Sequence, residues 1–193
     1  MSGETVSARR ADAERNRAKI IAVAREAFAA PGAAPSMAEI ARRAGVGMAT
    51  LYRNFPGRLE LVEELFRHTV DDMCEAAEHV TGDTPGDAFF AWLMRFHANG
   101  ARKGPLASLL LAESASDTPV VLRDSRSRTI AAGEPLFLAA QRSGEVRDDV
   151  SLGQILDGLV ALGTVDNHPD FSGALIRIML DGLRPPTPGP AKP

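Results

Sequence analysis

The sequence is poor in most of what marks an enzyme, a secreted scaffold or a membrane protein. One cysteine, Cys74, stands among 193 residues, which excludes an internal disulfide framework and suits a reducing cytoplasm. No apolar run approaches the roughly 18 residues that a membrane-spanning helix requires, so no membrane partner is expected. Met1 to Arg10 is polar and lacks the apolar segment of a secretory signal. Glycine-rich phosphate loops, His-Glu-x-x-His and Gly-x-Ser-x-Gly are missing, and His68, His79, His97 and His168 are scattered. Neither a catalytic group nor a cofactor is expected. His68 and Asp72 share a helix face at i, i+4 spacing and could hold a metal; a solvated, partly paired surface is the simpler reading, and no metal site is expected. Aromatic residues make up only 5%, and strand-like alternation rich in Val, Ile and Thr is scarce, which argues against a sheet.

What remains is a chain rich in alanine and leucine, 45% hydrophobic and 24% charged, ordinary for a globular protein and all-α in its periodicity. Helices are expected near residues 12–30, 37–44, 48–55, 58–80, 87–102, 105–115, 119–142, 151–165 and 170–183. Pro31-Gly32 should end the first, and Pro135 should kink or divide the seventh. The segment from Phe89 to His97 is apolar nearly all round, as in a helix buried on several sides. Residues 185–193 hold five prolines and are expected to be disordered.

Charge is unevenly placed. Residues 1–60 carry ten Lys/Arg against six Asp/Glu, a net of +4, while residues 61–193 carry a net of -7. A basic front on an acidic body suits a nucleic-acid contact at one end.

The most informative stretch is Ser36 to Phe55. Ser36-x-x-Glu39 has the spacing of a capping box, Gly45 falls where a helix ends in the left-handed conformation, and only Gly45-Val46-Gly47 separates two short helices. That is a helix-turn-helix. Val46, Leu51 and Phe55 can pack against Ile40, Ala41 and Phe28. Met48, Ala49, Thr50, Tyr52, Arg53 and Asn54 then remain for the outer face and flanks. Small Ala49 would let the backbone approach bases, and Thr50, Tyr52 and Asn54 can donate to phosphate oxygens. Met48 and Ala49 could meet thymine methyls, and Arg53 a guanine or a phosphate. Arg42 and Arg43 suit either the DNA backbone or a solvated helix face. Arg9, Arg10, Arg15 and Arg17 lie in or before the first helix, where an arm could reach the minor groove. Double-stranded DNA is the partner this pattern favours.

Ile40-Ala-Arg-Arg-Ala-Gly-Val46 followed by Thr50-Leu-Tyr-Arg-Asn-Phe-Pro56 resembles the signature of the TetR family of bacterial transcriptional regulators, over about Asn16 to Leu65. The connector Gly144-Glu-Val-Arg-Asp-Asp-Val150 resembles one common in that family. The resemblance implies a three-helix DNA-binding domain in residues 1–60 with an arm at 1–11, and a helical effector-binding and dimerisation domain in 61–184. It also implies a cytoplasmic homodimer, most often a repressor, released by a small-molecule effector. Ser36 would meet a phosphate at the start of the backbone-crossing helix, Thr50, Tyr52 and Asn54 occupy recognition-helix positions, and Arg58 the basic position opening the fourth helix. Gly47 replaces a frequent serine, which removes one cap, and Asn54 replaces a frequent histidine.

On the last two helices, Leu152, Ile155, Leu156, Leu159 and Val160, then Leu175, Ile178, Met179 and Leu183, follow helical spacing. They fit either a dimer interface, which the resemblance favours, or their own subunit's core. Trp92, Phe96, His97, Leu109, Glu113 and Arg128 lie on helices that usually surround the effector pocket. His97 also suits a hydrogen-bonded core position, and Glu113 with Arg128 an ion pair. The competing reading, a helical protein-interaction module without DNA binding, sits poorly with the net positive charge of residues 1–60.

Overall fold

The computed structural model describes residues 2–29, 35–113, 119–164 and 169–185. Among them are eight helices and no strand: α1 (Ser2–Ala29), α2 (Met37–Ala44), α3 (Met48–Asn54), α4 (Arg58–His79), α5 (Pro85–Glu113), α6 (Val120–Arg142), α7 (Leu152–Thr164) and α8 (Pro169–Gly182). The chain divides into two compact units. The first comprises Met1–Thr69 with Arg102–Leu122, the second Val70–Ala101 with Arg123–Pro193. Pro31-Gly32 and the proline-rich tail from residue 186 lie outside the described residues.

Helix α1 starts well before residue 12. Ser2, Gly3, Thr5, Val6 and Ser7 are poor helix formers, but from residue 10 side chains one turn apart pair along the helix: Arg10 with Glu14 at 3.2 Å, and Arg15 with Asp12. The two helices expected at 87–102 and 105–115 are one, with Pro105 inside α5. A proline there forfeits one backbone hydrogen bond, yet Leu106 and Leu110 just beyond it are buried, and that burial favours continuation. The expected break falls where α5 passes from the second unit to the first. Pro135 likewise sits inside an unbroken α6, followed by buried Phe137 and Ala140.

In the first unit, α1, α2 and α3 pack on one another through buried Ile20, Ala24, Phe28, Ile40, Ala41, Leu51 and Phe55. Burying each large apolar side chain contributes about 1.5–3 kcal/mol. The second unit has its own core, centred on Phe89, Trp92, Leu93 and Phe137 with Leu152, Ile155, Leu156 and Leu159. The Trp92 indole is fully buried, donates to the Met73 carbonyl at 3.4 Å, and lies against Phe89 and Phe96 at centroid distances of 6.4 and 6.2 Å. Its opposite neighbour is Gly133, where any Cβ would meet Trp92 Cη2 at 2.2 Å.

The connector between α6 and α7 ties two helix ends together. The Glu145 carboxylate accepts from the Gly86 N–H at 2.9 Å at the start of α5, from Ser143 Oγ at 2.6 Å, and from the Thr84 hydroxyl. Two residues on, the Arg147 N–H donates to the Leu183 carbonyl at 2.9 Å and its guanidinium to Gly182 O at 3.2 Å, at the C-terminal end of α8. Hydrogen bonds from Ser143, Thr84 and Gly86 hold the Glu145 carboxyl below its ordinary value of 4.5. A carboxyl whose pKa is lowered by folding stabilises the fold above its unfolded pKa, and that contribution is lost as pH falls through the folded value. Glu145→Gln should therefore melt below the wild type at neutral pH, with the gap closing in thermal scans below about pH 4.5.

Candidate nucleic-acid interface

The geometry of the turn follows from its sequence. Ser36 Oγ accepts from the Glu39 N–H at 3.1 Å and opens α2. Gly45 closes it at φ 66, a conformation that costs an L-residue roughly 1–2 kcal/mol. The Gly45 N–H reaches Arg42 O at 3.3 Å and the Val46 N–H reaches Ala41 O at 3.0 Å, the paired bonds of a Schellman ending. Gly47 then caps α3 without a side-chain hydrogen bond, as the missing serine led one to expect.

Helix α3 divides its seven residues sharply between two faces. Leu51 is fully buried and Phe55, just past its end, is 2% exposed, while Tyr52 is 47% and Met48 39% exposed. Ala49 and Arg53 are also exposed, with Thr50 and Asn54 half-buried on the flanks. The structure thus gathers Met48, Ala49, Tyr52 and Arg53 on one outward face. Val46, expected inside, is half-buried. Arg53 donates to Ala49 O at 3.2 Å and Thr50 Oγ1 at 3.0 Å, and Asn54 Nδ2 to Thr50 O at 2.8 Å. These polar tips are hydrogen-bonded within α3.

The other candidate DNA contacts are more committed to the fold. Arg43 lies 3.6 Å from Glu26 and 3.9 Å from Glu39. Arg58 donates to Pro35 O at 2.7 Å and stacks over Phe28 at 5.3 Å, leaving further N–H groups of its fork. Arg17, expected among the DNA contacts, is engaged within the unit. Its guanidinium lies 2.6 Å from Glu64 Oε1, 3.3 Å from Asn54 O and 4.6 Å from the Phe55 ring centroid. Glu64 itself was not visible as a functional residue in the sequence; its one local cue is the i, i+3 and i, i+4 spacing to Arg67 and His68, 2.8 and 3.5 Å away.

The helical stripe on α7 and α8 divides between the interior and the outer surface of its own chain. Leu152, Ile155, Leu156, Leu159 and Leu183 are all buried in their own subunit's core. Apolar periodicity identifies the face that leaves water, and that face was claimed by the subunit itself. Val160 at 56% and Ile178 at 68% exposure remain outward, with Leu175 and Met179 half-buried.

Of the effector candidates, Trp92 and Phe96 are core residues and His97 is half-buried, all on the second-unit part of α5. Leu109, half-buried, and Glu113 lie on the first-unit part, and the Glu113 side chain lies outside what the structure describes. Arg128 is exposed and pairs with Asp71 at 2.6 Å. Near the α4–α5 loop, Thr81, Gly82, Asp83, Asp87 and Ala91 line an open depression of about 580 Å³, too polar to match the apolar pocket expected for a drug-sized ligand. Among the described residues no group of three or more His, Cys, Asp or Glu is placed to hold a metal, and no helix is long and apolar enough to cross a membrane.

A helix-turn-helix carried by three packed N-terminal helices, joined to an otherwise helical chain, defines a class of DNA-associated regulators. Comparisons place the chain more narrowly. Residues 20–65 match the family of bacterial regulatory proteins of the tetR type, and residues 84–185 match the C-terminal domain of SbtR-like transcriptional regulators. A TetR transcription regulatory protein from Mycobacterium vanbaalenii is 34% identical, with 91% of this chain and 98% of that one covered and a TM-score of 0.69. A TetR transcriptional regulator from Streptomyces coelicolor is 31% identical over 89% and 99% of the two chains, with a TM-score of 0.68. The chain belongs to the TetR family of transcriptional regulators.

Proposed function

We propose that this regulator is a ligand-responsive repressor that binds a pseudo-palindromic operator as a homodimer in the cytoplasm and leaves it when a small molecule binds. DNA binding falls to residues 1–60, and effector binding and dimerisation to 61–184. The observation that carries the reading is the split of α3. A seven-residue helix anchored by Leu51 and Phe55 presents Met48, Ala49, Tyr52 and Arg53 outward, which suits insertion into a major groove about 12 Å wide. Two such helices in a symmetric dimer meet two half-sites one helical turn apart. An effector acts by binding better to a state whose helices no longer fit both half-sites.

Pairing of subunits falls to the outward apolar groups of α7 and α8. Ile178→Asp places a charge on that face, and light scattering should then show monomers where the wild type gives dimers. A dimer of unchanged mass would move the interface elsewhere. The operator itself is tested by selection from fragmented source-genome DNA with purified protein, near physiological salt and with excess nonspecific competitor. Enrichment of fragments sharing a two-fold-symmetric element supports the reading. Folded, dimeric protein that enriches nothing favours an interaction module.

A further inference from the structure

Helix α3 is far below the roughly 12–15 residues at which an isolated helix becomes even marginally stable in water. Its pose must therefore come from contacts at its ends and on its inner face. The N-terminal end is fixed by the tight turn from α2. The C-terminal end carries carbonyls without intrahelical partners, and Asn54 O, on the last helical residue, is met by Arg17 of α1 at 3.3 Å. The same guanidinium lies over the Phe55 ring at 4.6 Å and reaches Glu64 of α4 at 2.6 Å. One planar group thus joins three helices. It is 39% exposed and Glu64 only 19%, so water screens this pair less than an ordinary surface ion pair. A cation here also complements the negative end of the helix dipole. Glu64 is steadied in turn by Arg67 at 2.8 Å.

We propose that Arg17 is a positioning residue for DNA recognition, holding the C-terminal end of α3 in its groove-ready pose through Asn54 O and Phe55 while Glu64 holds Arg17. The inference rests on the DNA-binding reading above. It runs against the simpler assignment of Arg17 to a phosphate or the minor groove, since that role would require the guanidinium to leave Glu64 and the ring.

The two assignments differ in the sign of one substitution. Removing the Glu64 carboxylate from a direct-contact arrangement frees a cation for DNA and tightens binding. Removing it from the positioning arrangement loosens α3 and weakens binding. The probe is the set of duplexes enriched by the wild-type protein from a random-sequence library, titrated by fluorescence anisotropy well below the melting temperature and normalised to the active fraction. Glu64→Ala and Arg17→Ala should each weaken binding about three- to tenfold, and the double variant should be little worse than the weaker single one. The slope of log affinity against log salt should stay at the wild-type value, because no phosphate contact is lost. Arg17→Lys, which keeps the charge but not the fork or the stacking plane, should recover only part of the affinity.

If Arg17→Ala does not fold, Glu64→Ala carries the test. Binding by Glu64→Ala that is unchanged or tighter overturns the positioning role. So does a salt slope reduced by about one charge per half-site in Arg17→Ala. Wild-type protein that enriches no sequence overturns the DNA-binding reading and this inference with it, an outcome separable from the others because it appears before any variant is made.

Discussion

Gly133→Ala should lower the melting temperature by about 2–8 °C. In the middle of α6 alanine would ordinarily stabilise a helix by about 1 kcal/mol over glycine. Here its methyl carbon would sit 2.2 Å from Trp92 Cη2 and 2.5 Å from Cζ3, far inside contact distance. The indole cannot step aside. It is a rigid ring, fully buried, tethered to Met73 O and packed on Phe89 and Phe96. Overpacking of this kind costs about 1–3 kcal/mol, so after the helix gain a net loss of about 1–2 kcal/mol is expected, and each kcal/mol moves the midpoint by about 2–4 °C in a chain of this size. Gly158→Ala provides the contrast. Its new carbon would meet Met179 Cε at 2.8 Å, the far end of a flexible side chain, and the helix gain should about offset the adjustment. Thermal scans of both variants, followed by the fluorescence of the single tryptophan, check the pair. Equal melting temperatures for Gly133→Ala and the wild type would mean that Trp92 is not held as described.

Tyr52→Ala should weaken operator binding about 30- to 150-fold while leaving the melting temperature and the dimer unchanged. Tyr52 is 47% exposed, so truncation opens no cavity in the core. In the proposed complex its hydroxyl would donate to a phosphate, a bond whose loss costs about 1–1.5 kcal/mol, and a symmetric dimer would suffer that loss at both half-sites. The donor is neutral, so the dependence on salt should keep the wild-type slope. Anisotropy titrations at several salt concentrations measure both quantities. Affinity within twofold of the wild type would remove Tyr52 from the interface.

Local signals were readable from the sequence and long-range ones were not. Ser36, Gly45 and the short spacer to Gly47 act on their immediate neighbours, so the cap, the left-handed ending and the crossing of α2 and α3 followed directly from residue types. The inner and outer faces of α3 followed from helical period, with Leu51 and Phe55 inside and Tyr52 and Arg53 outside. Pro105 was misjudged because a proline states only its local cost; whether a helix breaks there depends on what Leu106 and Leu110 bury beyond it. The stripe on α7 was ambiguous in sequence for a related reason. Periodicity shows that Leu152, Ile155 and Leu159 are hidden, and not which chain hides them. Arg17 lies 37 residues from Asn54, and no pattern within α1 announces either that carbonyl or Glu64. Glu145 was visible only as part of a connector, since its role depends on the backbone N–H of Gly86, which sequence spacing does not reveal.

The central claim is that the outer face of α3 reads the major groove of two symmetric half-sites. Dimethyl sulfate interference on an enriched duplex tests it most directly, because the reagent methylates guanine N7 in the major groove and adenine N3 in the minor groove. The account predicts interference at guanine N7 in two patches related by the two-fold axis and about one helical turn apart, absent from complexes selected with Tyr52→Ala at matched occupancy only where that residue's neighbours lie. Interference confined to adenine N3, or none at all in a bound duplex, would contradict it.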